Sequence, residues 1–158
     1  MALKAPPSPR SVLAVDVGRR RIGLAGCDPL GLTVTPLPAM ARSNFQHDLE
    51  LLQQLIQQRR CEALVVGLPL DREQRLTPQA EHCRRYGIQL AKGLDLPLAW
   101  VNEHTSSWSA AEAKGLHGDR SGRLDSAAEA LLLQQWLQEG PEPVRLAAIA
   151  ASQGPQVE

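Results

Sequence analysis

The stretch Leu13–Asp28, LAVDVGRRRIGLAGCD, decides how this chain is read. Ser11–Val15 is a short, mostly apolar run that leads into Asp16, the pattern of a buried strand. Val17-Gly18 and the three arginines Arg19, Arg20 and Arg21 make a turn, and Ile22–Cys27 resumes as a second strand. Leu32–Met40 reads as a third. Connections this short predict an antiparallel meander. The acid that closes the first run calls for an explanation, because charged side chains are almost never fully buried unless paired or bound to metal.

Downstream, the pattern changes period. Ser43 or Asn44 caps a helix, with Ser43 and Gln46 at capping-box spacing and Phe45, Leu49, Leu52, Leu55 and Ile56 on one face. Ala63–Gly67 (ALVVG) is a fourth, fully buried strand, and Leu68–Leu76 a charged loop. Thr77 caps a second helix with Pro78 at its first position. Ala80, Cys83, Gly87, Leu90, Ala91 and Leu94 form its stripe. Pro97–Val101 (PLAWV) is a fifth strand, followed by Asn102-Glu103. Ser106–Leu116 suits a short helix and His117–Gly122 a loop. Leu124–Leu137 is a long helix with Leu124, Ala128, Leu131 and Leu132 on one side. The order predicts an α/β fold: a mixed five-stranded sheet, three meander strands and then two parallel ones, with helices on both faces. Residues 1–10 are Pro-rich and expected to be a flexible arm, 11–139 the domain, and 140–158 a Pro/Gly-punctuated tail.

Composition narrows the function. The chain has 158 residues, enough for one domain whose core needs neither disulfide nor structural metal. Apolar residues make up 43%, which excludes disorder throughout, and no apolar run approaches the length of a membrane span. Three cysteines, Cys27, Cys61 and Cys83, show no C-x-x-C spacing, so a reducing compartment is expected. MALKAPPSPRS lacks the apolar core of a secretory signal, and a cytoplasmic location follows as the expectation. Net charge is zero, so bulk charge names no polyanionic partner. Arginine nevertheless outnumbers lysine 14 to 3, a bias that suits phosphate contact and equally reflects a GC-rich coding background.

Three acids sit at element ends: Asp16 after the first strand, Glu103 after the fifth, Asp125 at the start of the last helix. If strands one and five lie near one another and the last helix docks across them, the three carboxylates converge. Oxygen ligands of this kind suit Mg²⁺, and a pair of ions can clamp the attacking and leaving oxygens of a phosphodiester. Each acid also has an ordinary reading: a turn for Asp16, a helix N-terminus for Glu103 and Asp125. No Walker or dinucleotide-binding glycine pattern is present. His47 and His82 read as solvent-facing, Trp100 as core and Trp108 as partly buried, with base stacking its alternative. His104 and the Thr105-Ser106-Ser107 run lack the setting of a serine hydrolase.

Four segments together resemble the YqgF/RuvX family of RNase H-like nucleases: Leu13–Asp28 with Pro29-Leu30-Gly31, Val65–Leu70 (VVGLPL) with Pro78–Glu81, Val101-Asn102-Glu103, and Leu124–Leu133 (LDSAAEALLL). The match runs over residues 12–138. The resemblance implies an RNase H-like fold and a trio of carboxylates, Asp16, Glu103 and Asp125, that binds Mg²⁺ or Mn²⁺. It implies maturation of the 5′ end of pre-16S rRNA in ribosome biogenesis, with structured RNA, branched DNA and the small-subunit precursor as partners. Arg20 and Arg21 match the family's basic pair, and His104 stands where the family usually has an arginine. Asn102 replaces an aspartate, and the loop after Leu70 lacks the family's glycines. The resemblance also implies an alternative, a Holliday-junction DNA nuclease, and His104 with the altered loop motivates another, a catalytically weak RNA-binding protein of ribosome assembly.

Overall fold

The computed structural model describes residues 6–70, 73, 75–102 and 123–146. Its elements are β1 (Val12–Val17), β2 (Arg21–Cys27), β3 (Val34–Ala41), α1 (Phe45–Arg59), β4 (Ala63–Leu68), α2 (Pro78–Leu94), β5 (Leu98–Asn102) and α3 (Arg123–Glu139). The expected helix over Ser106–Leu116 and loop over His117–Gly122 lie outside the described residues.

Five strands form one sheet in the order β3-β2-β1-β4-β5. β1, β2 and β3 pair antiparallel, whereas β4 pairs parallel with both β1 and β5. The expected meander and parallel pair are both present. Strands one and five are not neighbours, however: β4 lies between them. Because all three run parallel, their carboxyl ends still finish at the same end of the sheet.

Period-two alternation divides the core into two layers. Leu13, Val15, Val17, Ile22, Leu24, Leu64 and Val66 pack with Leu49 and Leu52 of α1 and Cys83, Tyr86 and Leu90 of α2. Val12, Ala14, Ala25, Cys27, Ala63, Val65, Ala99 and Val101 pack with Leu132, Leu133 and Trp136 of α3. β4 is buried along its whole length because helices cover both faces. On α3 the buried stripe runs through Ala128, Leu132, Leu133 and Trp136, and Leu131 turns outward at 36% exposure. Leu131 falls outside the stripe because, at about 100° per residue, it turns to one side of Leu132 while Leu133 and Trp136 turn to the other.

Local signals fix the helix ends. Asn44, not Ser43, caps α1 and accepts from the His47 backbone N–H at 2.9 Å. Thr77 caps α2 through the Ala80 N–H at 3.0 Å, with Pro78 in the first turn. Asp28 closes the β2–β3 corner by accepting from Thr33 N–H at 2.6 Å and Leu30 N–H at 3.1 Å. Those backbone donors hold its carboxyl below the ordinary aspartate value.

Both sheet edges are protected. Edge strand β3 carries Pro36 and Pro38, which cannot donate to a further strand. At the β5 edge, Leu98 and Val144 exchange backbone hydrogen bonds at 3.0 and 2.9 Å. Residues 140–146 of the Pro/Gly-punctuated tail are thus docked against the sheet. Trp136, fully buried, donates from Nε1 to the Pro141 carbonyl at 2.7 Å. Part of the N-terminal arm is docked as well: Pro7 is buried, and Arg10 meets Glu142 at 3.0 Å.

Candidate active site

Asp16 is half-buried and projects from the α3 face of β1, because its neighbours Val15 and Val17 fill the opposite layer. Its cross-strand partner is Gly23. One residue past the Val15–Val66 couple, Asp16 comes level with Gly67 of β4, which is paired in turn with Val101 of β5. The carboxylate therefore stands between two residues without side chains. Glycine within a strand marks places where a ligand or another backbone comes close. Beside Gly23 the β2–β3 register shifts between Ile22 and Leu24, so two residues of β3 oppose one of β2. Such bulges recur next to active sites, where they re-aim neighbouring groups.

The other two acids reach this end of the sheet by their elements. β5 finishes at Asn102, level with Leu68. The next residue, Glu103, lies outside the described residues, as does His104. Asp125 is in the first turn of α3, and its side chain is outside the described set. The adjacent Ser126 donates from Oγ to the Leu37 carbonyl of β3. Leu37 is level with Leu24, and Leu24 with Val15, one row from Asp16. The start of α3 is thereby fastened near the Asp16 end. Glu129, four residues on from Asp125, is buried at 1% exposure within the same helix.

The turn that follows Asp16 is rigid. Gly18 N–H donates to the Arg21 carbonyl at 2.9 Å, and a side chain on Gly18 would stand 2.8 Å from that oxygen. Arg42 closes the turn from outside: its backbone N–H donates to the Arg20 carbonyl and its Nη1 to the Gly18 carbonyl, both at 2.8 Å. Arg19 and Arg20 are exposed on this turn, and Arg21, at the start of β2, is half-buried. Behind it, Gln79 Nε2 and Cys83 Sγ of α2 both approach the Val17 carbonyl, at 3.5 and 3.3 Å.

Of the residues singled out from sequence, the structure brings Asp16, Arg20, Arg21 and the helix turn bearing Asp125 to one end. Sequence reading missed Gly23, Gly67, Arg19 and Arg42. The two glycines had a signal, as interruptions of apolar strands. Arg42 had none, since it joins the site across 24 residues of chain.

Residues 10–139 match the family described as "RuvX: Holliday junction resolvase". The chain belongs to the RuvX family. Membership makes it a nuclease, a hydrolase of nucleic-acid phosphodiester bonds. A protein of Parasynechococcus marenigrum strain WH8102, named "Putative pre-16S rRNA nuclease", is 67% identical over 136 residues, 86% of this chain and 87% of that one. One of Prochlorococcus marinus strain MIT 9313, with the same name, is 62% identical over 93% of this chain and 92% of its own. The fold also resembles Thermus thermophilus RuvC, solved in complex with a Holliday junction substrate. The TM-score is 0.51 at 14% identity, over 78% of this chain and 91% of that one. That likeness extends to the RNase H-like fold. No helix among the described residues is long and apolar enough to cross a membrane.

Proposed function

We propose that the chain is a divalent-metal-dependent endonuclease that trims the 5′ end of pre-16S rRNA in the cytoplasm, and that Asp16, Glu103 and Asp125 are its ligating carboxylates. The observation that carries this reading is the setting of Asp16: a half-buried carboxylate between Gly23 and Gly67, at the sheet end where β5 finishes and α3 begins. The rRNA substrate rests on the names of the relatives of 67 and 62% identity.

The donor set fits Mg²⁺ or Mn²⁺ in kind. All three candidates offer carboxylate oxygen, the ligand these cations prefer, and the glycines beside Asp16 leave room for a phosphate next to it. Such an ion, when bound, supplies Lewis-acid stabilisation of charge on the phosphoryl oxygens. The chain's own residues supply the rest. Asp16 contributes negative charge from a strand rather than a loop, which limits its motion. Arg20 and Arg21 hold backbone phosphate on a turn braced by Arg42 at its Gly18 and Arg20 carbonyls. His104 adds a further donor to phosphate.

The deciding experiment is cleavage of a pre-16S 5′-leader RNA by wild type and Asp16→Asn with and without Mg²⁺. Cleavage lost in both the variant and the metal-free wild type supports the reading; cleavage by Asp16→Asn at the wild-type rate overturns it. A second reading, cleavage of branched DNA, is favoured by the family description. A four-way DNA junction offered beside the RNA separates the two.

A further inference from the structure

Charge is unevenly settled in this neutral chain. Arg10, Arg75, Arg84, Arg85 and Arg145 each pair with a carboxylate, at 3.0 to 3.4 Å. Arg84 and Arg85 share one acid, Glu81, so the first turns of α2 keep a positive excess. Arg19, Arg20 and Arg42 make no ion pair among the described residues.

Arg42 is unlike the other two because it is held. Its guanidinium lies 4.6 Å from the centroid of the Tyr86 ring. That ring is fixed in turn: the Tyr86 hydroxyl donates to Asp48 at 2.9 Å, and Asp48 is fully buried and also accepts from the Ser43 N–H at 2.9 Å. Phe45 meets the Tyr86 ring edge-on at 5.6 Å. Both short hydrogen bonds of the guanidinium run through Nη1, to the Gly18 carbonyl at 2.8 Å and to Nε2 of exposed His82 at 3.2 Å. The Nε–Nη2 edge, the fork that grips a phosphate, makes no ion pair among the described residues. A stacked, half-buried arginine has already lost much of the rotamer entropy that an exposed one loses on binding.

We propose that Arg42 binds a nucleic-acid backbone phosphate of its own, distinct from any held by the arginines of the Asp16 turn, so that the strand runs from that turn over the Arg42–Tyr86 stack towards His82. The proposal deepens the nuclease reading and rests on it. It requires substrate length beyond the scissile phosphate, towards the side of the sheet covered by α1 and α2.

The test separates direct contact from bracing of the turn. A fluorescent RNA hairpin is titrated in EDTA at several salt concentrations with wild type, Arg42→Gln, Arg19→Ala/Arg20→Ala, and the triple variant. Arg60→Gln serves as control, since Arg60 caps α1 at the opposite end of the sheet. Each lost phosphate contact lowers the slope of log affinity against log salt by roughly 0.7–0.9. The expected result is a drop of that size on adding Arg42→Gln in either background, with none from Arg60→Gln. If Arg42→Gln changes nothing once Arg19 and Arg20 are gone, Arg42 only braces the turn and the proposal falls. It also falls if Arg60→Gln lowers the slope equally. Wild-type protein that binds neither the RNA nor a DNA junction removes the nuclease reading along with it. Should Arg42→Gln fail to fold, the Arg42 side-chain Nε–H resonance of wild type decides: it shifts on RNA binding if the contact exists and stays put if it does not.

Discussion

At the amino-terminal end of β1, Arg10 meets Glu142, Arg145 meets Asp95, and the Ser11 hydroxyl donates to the Cys27 carbonyl at 3.2 Å. The Leu98–Val144 bridge covers the β5 edge of the sheet at this same end. At the carboxyl end of β1 stand a half-buried Asp16 between two glycines and a turn bearing Arg19 and Arg20, which make no ion pair among the described residues. One end spends its polar groups on one another. The other carries the exposed arginines Arg19 and Arg20, which make no ion pair among the described residues, and this is how a binding end differs from a structural end when the fold between them is continuous. The two ends should therefore answer mutation differently. Changes at the closed end should cost stability and spare binding; changes at the open end should do the reverse.

The largest expected effect is at the open end. Asp16→Asn should reduce cleavage by about 100-fold or more, since several kcal/mol of charge stabilisation are lost at about 1.4 kcal/mol per tenfold. Its thermal midpoint should stay near that of wild type; a cooperative loss of structure would place Asp16 in the folding machinery instead. At the closed end, Trp136→Ala removes a fully buried ring and the anchor of the Pro141 carbonyl, and should cost about 3–5 kcal/mol in urea denaturation. The RNA salt slope of the folded fraction should not change. Replacing Arg19 and Arg20 together should lower that slope by roughly 1.4–1.8 without moving the urea midpoint.

A smaller effect tests the stack beside the Asp16 turn. Burial raises the Tyr86 hydroxyl above the ordinary tyrosine pKa, with Asp48 adding to the rise and Arg42 partly opposing it. A pKa raised on folding contributes stability that is full below about 10, the unfolded value, and is lost as pH climbs above it. Denaturation measured between about pH 8 and 11 should show that loss in wild type and a flatter profile in Tyr86→Phe. The smallest is Glu142→Gln, which frees a partly exposed pair and should change stability by less than about 1 kcal/mol. A larger cost there would mean the docked 140–146 segment depends on that pair rather than on Trp136.

Sequence alone determined the strands, the caps and the positions of the acids. Short apolar runs marked β1, β2 and β4; Asn44, Thr77 and Pro78 marked where helices begin; Asp16 and Asp125 stood out as acids at element ends. These signals are local, carried by runs of a few apolar residues, by the 3.6-residue helical period and by hydrogen bonds across three residues. The same locality explains the misreadings. A helix stripe read from apolar content alone took in Leu131, and nothing in the proline-punctuated end announced its docking, because its anchor, Trp136, acts through tertiary contact. Only the tertiary structure decided that β4 separates β1 from β5, that Gly23 and Gly67 flank Asp16, and that Arg42 and Tyr86 join the basic turn. Strand order depends on which edges pair after the chain collapses. The Arg42–Gly18 and Asp48–Tyr86 contacts span 24 and 38 residues, distances at which no periodicity in the sequence records who will meet whom.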